Sequence, residues 1–421
     1  MKSVKVLALA MLFLLTSMIP VINVEAAKEE RRETDIGYIS EKWRAGLGTG
    51  LGSLNSIKSA DIDADGEDEL VFGNSQGFIH ILDWDSENNG WFDQLQSVDM
   101  GGSVKGMEIA NIDDDPALEI AVGYNWVSDI GKVKIIDGLN LTAEANWTSG
   151  VSWSHGQWTA GWPYGLAMGD LDGDEQAEIA MGDDRGFLWV VDANTPEIYV
   201  GRDITPDEAE WYMDISAKVE KGVADAWGVT FGQFDEDEAM EVAVGTKEGW
   251  VAIFDGETQE MQWKKDMDNN DGADSLCYSL IAADLDGDDI DELIVPQQNK
   301  MTIFIDGEKD NFVEDSSVKS GYGLANENLF NNSNEELIVA DGNGKIRIMG
   351  LSGSSLTTYQ EWNTGYPMNT GAGITVSTSN ADDPWLIHGS DSGVIMAWEI
   401  TSQTEHDEVW STNSESNENS I

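Results

Sequence analysis

Five stretches of this sequence place oxygen-bearing side chains at every second residue, the arrangement by which a turning chain gathers ligands around a hard cation. The clearest reads Asp61-Ile62-Asp63-Ala64-Asp65-Gly66-Glu67-Asp68-Glu69, with carboxylates at positions 1, 3, 5 and 9. As the chain doubles back, Asp61, Asp63, Asp65 and Glu69 are expected to converge, and the carbonyl of position 7 adds an oxygen. Oxygen donors in a flexible loop suit Ca²⁺ better than a transition metal. The same set recurs as Asp170, Asp172, Asp174 and Glu178, and as Asp284, Asp286, Asp288 and Glu292. Two copies begin on a neutral residue: Asn111 with Asp113, Asp115 and Glu119, and Gln233 with Asp235, Asp237 and Glu241. Two more have lost the ligands: Asn328, Phe330, Asn332 and Glu336, then Ser377, Ser379, Ala381 and Trp385. The expectation is strong calcium sites in copies one, three and five, weaker ones in two and four, and none in six and seven.

An EF-hand reading fails, because it requires a bidentate Glu at position 12 between two helices. Position 12 is Phe72, Val122, Met181, Val244 or Val295, inside an apolar run, so the loop joins two strands. Position 6 calls for a positive φ, which Gly66 supplies and Glu175, Glu238 and Asp289 tolerate less well. Pro116 excludes it, so the second loop must differ in shape.

The elements that position these loops form a repeat. The loops start at Asp61, Asn111, Asp170, Gln233, Asp284, Asn328 and Ser377, at spacings of 50, 59, 63, 51, 44 and 49. Each follows one apolar strand and leads into a second, a short turn, and a third alternating strand such as Phe78 to Asp83 or Trp250 to Asp255. A fourth strand closes each unit, marked by Trp91, Trp147, Tyr199, Trp263, Phe312, Trp362 or Trp410. Four short strands in about 50 residues make a propeller blade, so the fold class is all-β, a seven-bladed β-propeller spanning 38–410. Trp43 resembles an eighth copy of the closing strand, so closure by the N-terminal strand, the C-terminal one, or both stays open. A short helix is expected within 207–221.

Five residues before each loop the side chain is small: Ser56, Gly106, Gly165, Gly228, Ser279, Gly323 and Ala372. Innermost strands converge on a propeller axis, which explains the column. The column before it holds Asn55, Lys105, Tyr164, Trp227, Tyr278, Tyr322 and Gly371. Its aromatics either wedge between blades or form, with Trp153, Trp158 and Trp162 of the insertion at 140–165, a ligand face.

Two motifs carry a resemblance. Asp170-Leu171-Asp172-Gly173-Asp174 with Glu178-Ile179-Ala180-Met181-Gly182, and the Asp61 loop with Glu69-Leu70-Val71-Phe72-Gly73, resemble the FG-GAP/VCBS repeats of integrin α-subunit propellers and secreted microbial proteins. The likeness spans about 53–400 and departs at Glu175, Glu238, Pro116 and the last two blades. It implies calcium loops that brace hairpins while partners bind elsewhere on the ring. Val251 to Thr258, ending at Trp263, is similar in part to a PQQ-type propeller repeat.

Composition narrows the function. Against 23 Lys+Arg stand 79 Asp+Glu, a net charge of −56, which opposes phosphate backbones and anionic lipid and so excludes nucleic acid as a partner. A single Cys277 rules out an intrachain disulfide and a Cys-based zinc site. Residues 1–26 read as a signal peptide, with basic Lys2 and Lys5, an apolar run, and Val24-Glu25-Ala26 before the cut. Cleavage is favoured over an uncleaved anchor, with no membrane insertion afterwards. Residues 27–37 read as a charged leader and 411–421 as a frayed tail.

No nucleophile–base pair stands out, so no catalytic residue is named. The reading that fits is a secreted or cell-surface calcium-binding propeller, an adhesion or binding module for an extracellular protein or glycan. The alternatives are a propeller enzyme (quinoprotein dehydrogenase or polysaccharide lyase) and a scaffold subunit of an envelope assembly.

Overall fold

Every repeat folds into a four-stranded antiparallel sheet, and there are seven of them. The computed structural model describes residues 39–46, 54–85, 90–112, 116–127, 130–138, 143–148, 163–173, 177–192, 209–220, 225–237, 239–267, 277, 279–321, 323–330, 334–366, 373–378, 384–390 and 394–400. Blade one comprises β2 (Leu54–Ala60), β3 (Glu69–Asn74), β4 (Phe78–Asp85) and β5 (Gly90–Asp99). Blade two holds β6 (Val104–Ala110), β7 (Glu119–Val127), β8 (Ile130–Asp137) and β9 (Ala143–Thr148). Blade three holds β10 (Pro163–Gly169), β11 (Glu178–Asp183), β12 (Phe187–Asp192) and β13 (Trp211–Asp214). Blade four holds β14 (Ala226–Gly232), β15 (Glu241–Thr246), β16 (Trp250–Asp255) and β17 (Met261–Asp266). Blade five holds β18 (Ile281–Ala283), β19 (Glu292–Pro296), β20 (Met301–Phe304) and β21 (Phe312–Asp315). Blade six holds β22 (Gly323–Glu327), β23 (Glu336–Ala340), β24 (Lys345–Ser352) and β25 (Ser355–Asn363). Blade seven joins β26 (Ile374–Ser377), β27 (Trp385–Gly389) and β28 (Val394–Ile400) to β1 (Ile39–Gly46).

The N-terminal strand therefore closes the ring. β1 runs antiparallel to β28, with Trp43 opposite Ala397. Trp410, expected as the closing aromatic, lies outside the described residues.

Burial explains the sequence pattern. The second strand of a blade is covered on both faces by its neighbours, so β3, β11, β15, β19 and β23 are buried along their whole length and read as apolar runs. The outer β17 is half-buried and carries Gln262, Lys264 and Lys265. Hydrophobic clusters sit at the seams between blades. Ile79 and Ile81 of blade one, for example, pack with Val104, Met107 and Ile120 of blade two. In blades one, three, four, six and seven the turn after the second strand is fastened by a buried polar side chain. Asn74 Oδ1 accepts from the N–H of Gln76 and Phe78 at 2.9 and 3.2 Å, and Asp183 Oδ1 does the same for Arg185 and Phe187 at 3.0 and 2.9 Å.

Crowding at the axis accounts for the column of small residues. A Cβ on Gly165 would lie 2.6 Å from the Val229 nitrogen of the next inner strand. In blade seven the small residue is Gly373, not Ala372. Ser377 pairs with Trp385 just as Ala60 pairs with Glu69, so the last loop begins one residue later than expected and is one residue shorter.

The outer strand of blade three is also displaced. It is Trp211–Asp214 rather than a segment at Tyr199, which lies outside the described residues. Trp211 is 2% exposed and packs into the seam between blades three and four, while Tyr212 stacks on Phe187 with ring centres 4.9 Å apart. The expected short helix, α1, spans Ile215–Val219 and is capped by Asp214, which accepts from Ala217 N–H at 2.9 Å. Among the described residues no helix is long and apolar enough to cross a membrane.

Candidate metal centres

The acidic loops are built from the inside outward. Position 2 is a buried apolar anchor: Ile62, Ile112, Leu171, Phe234, Leu285 and Leu329. Its N–H donates to the buried Glu at position 9, at 3.0 Å for Ile62 to Glu69 and 2.7 Å for Leu171 to Glu178. The same bond closes blades two, four, five and six, through Glu119, Glu241, Glu292 and Glu336, at 2.8, 2.7, 2.8 and 3.0 Å. Blade six keeps this clasp after losing its other acids, so the Glu has a structural duty that needs no ion. The alternation of acids in the sequence points only to the metal role of this Glu, not to the clasp.

In blades one, three, four and five the Glu that holds the backbone also lies beside two aspartates of its loop. Asp61, Asp63 and Glu69 each offer an oxygen, and the three lie within 4.8 Å of one another. Asp170, Asp172 and Glu178 form the same group in blade three, as do Asp284, Asp286 and Glu292 in blade five and Asp235, Asp237 and Glu241 in blade four. Asp65 does not join its group. Its Oδ1 accepts from Glu67 N–H at 2.9 Å, the bond that Ala239 and Ile290 N–H also make to Asp237 and Asp288 at position 5. Asp113, Asp115 and Asp174 lie outside the described residues.

A test of fit to a cation comes from orphaned acceptors. Glu292 is fully buried, and its Oε1 has no hydrogen-bond partner. Burial pushes its pKa up to about 8, with the charges of Asp286 and Asp306 adding to the shift. Glu241 is likewise pushed up to about 8, first by burial and then by Asp235, Asp237 and Asp255. Carboxylates crowded in this way need positive charge or a proton, and hard oxygen donors fit Ca²⁺.

Blade four softens its cluster with amides. Gln233 Nε2 donates to the carbonyls of Asp235 and Asp237 at 2.9 and 2.7 Å, and Gln262 Nε2 to Asp235 Oδ2 at 3.0 Å. Of these donors Gln262 competes with a cation for a carboxylate oxygen, whereas Gln233 ties up only backbone carbonyls of the loop.

Positive φ occurs at two loop positions rather than one. Gly66 (97°) and Asp289 (70°) adopt it at position 6, and Ala64 (60°), Gly173 (76°) and Gly287 (85°) at position 4. Asp289 therefore takes a conformation for which it looked poorly suited. The glycines at 173 and 287 were the unused sequence signal. Replacing Ala64 with Gly should stabilise the protein by ~0.5–1 kcal/mol, because a Cβ in the left-handed region costs more than the chain entropy of glycine. Denaturant unfolding measures this, and a loss of similar size would contradict it.

Neighbouring loops are stapled to each other. The position-8 N–H of one blade donates to the preceding loop: Leu118 to Ile62 O at 3.0 Å, Met240 to Leu171 O at 2.9 Å, Asp291 to Gln233 O at 2.8 Å and Glu335 to Asp284 O at 2.9 Å. Asp291 Oδ2 also accepts from Gln233 N–H at 2.8 Å. Asp68 repeats that bond across the closure, accepting from Thr378 N–H at 3.0 Å and Ser377 Oγ at 2.7 Å. Among the described residues these bonds tie neighbouring loops along one face at five of the seven seams.

At the other end of the inner strands lies the second candidate site. A cavity of about 770 Å³ runs between the inner strands of all seven blades. Lys105 and Trp227 line it, each the extra residue of a β-bulge that re-aims the side chain. The same bulge occurs at Asn55 and Tyr164. Lys247 Nζ sits 4.8 Å from the centre of the Trp227 ring, and burial lowers the Lys105 pKa. Lys58 reaches across a seam to Glu108 at 2.8 Å. Among the described residues the charged lining is Lys58, Lys105 and Glu108. Of the remaining aromatics proposed for a ligand face, Trp153, Trp158, Trp162, Tyr278 and Tyr322 lie outside the described residues, and Tyr164 is placed by its backbone in β10. Cys277 is buried with its thiol pushed up to about 12, which makes it inert.

No protein-family model matches the sequence, and no curated protein matches it. Solved structures do. BBS1N, in its crystal structure in complex with ARL6DN soaked with lead, gives a TM-score of 0.62 at 12% identity, over 89% of this chain and 100% of that chain. A chain in the crystal structure of the mitotic checkpoint complex gives 0.58 at 12% identity, over 92% of this chain and 100% of that one. At such identities the likeness shows the fold alone, a β-propeller.

Proposed function

We propose that this protein is an exported, calcium-braced β-propeller that binds an extracellular protein or glycan partner. The observation that carries the calcium half is the convergence of three carboxylates in blades one, three, four and five, with Glu292 presenting a buried oxygen that has no donor. The likeness of these loops to FG-GAP/VCBS repeats supports it. So does their position: an ion held in one loop stiffens neighbours that hydrogen-bond to it across the seams. Residues 1–26, with their signal-peptide pattern, support export to a calcium-rich side of the membrane.

Partner binding falls to the opposite face. There the bulged strands present Lys105 and Trp227 at the channel. BBS1N with ARL6DN is a propeller in complex with a protein, which is in keeping with such a use of the ring.

Calorimetric titration of the mature chain with Ca²⁺ tests the calcium half. Several binding events are expected. At a ligand excess of 100 over Kd each occupied site should stabilise the fold by about 2.7 kcal/mol, reversed by chelator. A flat titration at millimolar calcium rejects the reading. For the partner face, Trp227→Ala should abolish retention on a glycan or surface-protein array while leaving calcium binding unchanged.

A further inference from the structure

We propose a second divalent-cation position in blade five, built by Asp286, Asp288 and Asp306 beside the one built by Asp284, Asp286 and Glu292, with Asp286 bridging the two. The inference rests on the calcium reading of the loops and extends it to a residue outside them. Each triad brings one oxygen per residue within 4.8 Å of the others. Asp286 Oδ1, Glu292 Oε1 and Asp306 Oδ1 are all buried and have no hydrogen-bond partner. Glu292 is fully buried, so its oxygen has no recourse to solvent. Buried anionic oxygens without donors are costly unless a cation joins them. Five carboxylates meet here, against three in the triads of blades one and three. A single divalent ion leaves three formal charges uncompensated, and a second leaves one.

Blade five owes this to its third strand. In blade four, Asp255 pairs directly across from Glu241 and spends its Oδ1 on the N–H and hydroxyl of Thr258, at 2.6 Å each. In blade five the turn from the second to the third strand is one residue shorter: Pro296 pairs with Met301, where Gly245 pairs with Val251. β20 then ends at Phe304, and Asp306 falls in a 3-10 turn with φ 51°. Position 309 is Lys instead of Thr, so no hydroxyl occupies the aspartate. Gly307 locks the turn against blade four. A Cβ there would come within 2.6 Å of Phe234 Cβ, and its carbonyl accepts from Trp263 Nε1 at 2.8 Å.

The test counts Ca²⁺ bound per full chain by native mass spectrometry. Asp306→Asn should bind one ion fewer than wild type, and Asp286→Asn two fewer. Asn adopts the left-handed turn at little cost, so the backbone at 306 persists. Asp63→Ala, in blade one, should lose one ion and serves as the reference. An unchanged count in Asp306→Asn beside a reduced count in Asp63→Ala overturns the second position and leaves the calcium loops standing. No bound ion in the wild type overturns both, and loss of a single ion in Asp286→Asn overturns the bridge. Mn²⁺ provides an independent readout. The wild type should show an exchange-coupled pair in its paramagnetic resonance spectrum, and Asp306→Asn uncoupled ions only. Uncoupled ions alone in the wild type overturn the proposal.

Discussion

A chain lacking residues 39–46 is expected to lose its cooperative unfolding transition and to aggregate. The strand they form pairs with β28 at seven positions, from Ile39 opposite Ile400 to Gly46 opposite Val394. At about 1 kcal/mol net for each ladder hydrogen bond, its loss is comparable with the roughly 5–15 kcal/mol that keeps an ordinary domain folded. The damage goes beyond the bonds. β28 is mostly buried, and without a partner it presents an apolar edge ready to pair with another chain. Differential calorimetry and sedimentation velocity read the two effects. A synthetic peptide spanning 38–47, added in trans, should restore the transition. A truncated chain that melts like the intact one would show that closure is decided elsewhere.

The second large effect is expected at an ion pair that shares no residue with the acidic loops. Arg347 and Asp341 meet at 3.0 Å with side chains 3% and 1% exposed. Arg347 Nε also bonds Glu361 at 2.8 Å, and Nη2 reaches the Ser317 carbonyl of blade five at 3.4 Å. Asp341→Asn keeps the turn cap, since Asp341 Oδ1 accepts from Asn343 and Lys345 N–H at 2.8 and 3.1 Å. What it removes is the buried counter-charge. Leaving a buried cation short of its partner costs about 3–5 kcal/mol. The lower end applies here because Glu361 remains. Adding Arg347→Met to this variant should recover most of the loss, as the uncompensated charge is then gone. Chemical denaturation with and without chelator makes both comparisons. A calcium-dependent loss would contradict the separation of this pair from the acidic loops.

Much of this molecule was legible in its residues. Seven returns of one loop between apolar strands, five of them acidic, required seven blades, because a strand with Glu69-Leu70-Val71-Phe72 has no polar face and must be covered on both sides. The small residue before each loop announced the crowded axis, and the alternation of Asp61, Asp63 and Glu69 announced an oxygen cluster. Trp43 already hinted at a spare outer strand.

What pattern could not supply was register. A turn one residue shorter takes Asp306 past the end of its strand and into the neighbouring carboxylates, while Asp255, with the same Asp-Gly-Glu sequence, stays with Thr258. The last loop starts one residue late for the same kind of reason. The buried clasp from Glu to position 2, and the staple from Asp68 to Thr378 across the closure, join groups whose proximity depends on every blade being in place. Local sequence thus determined the blade, the number of blades and the chemistry of the loops, because burial and turn formation act over a few residues. Which carboxylates share an oxygen cage, and which terminus closes the ring, was decided only by the assembled toroid, because a shift of one residue moves a side chain by more than the reach of a metal–oxygen bond.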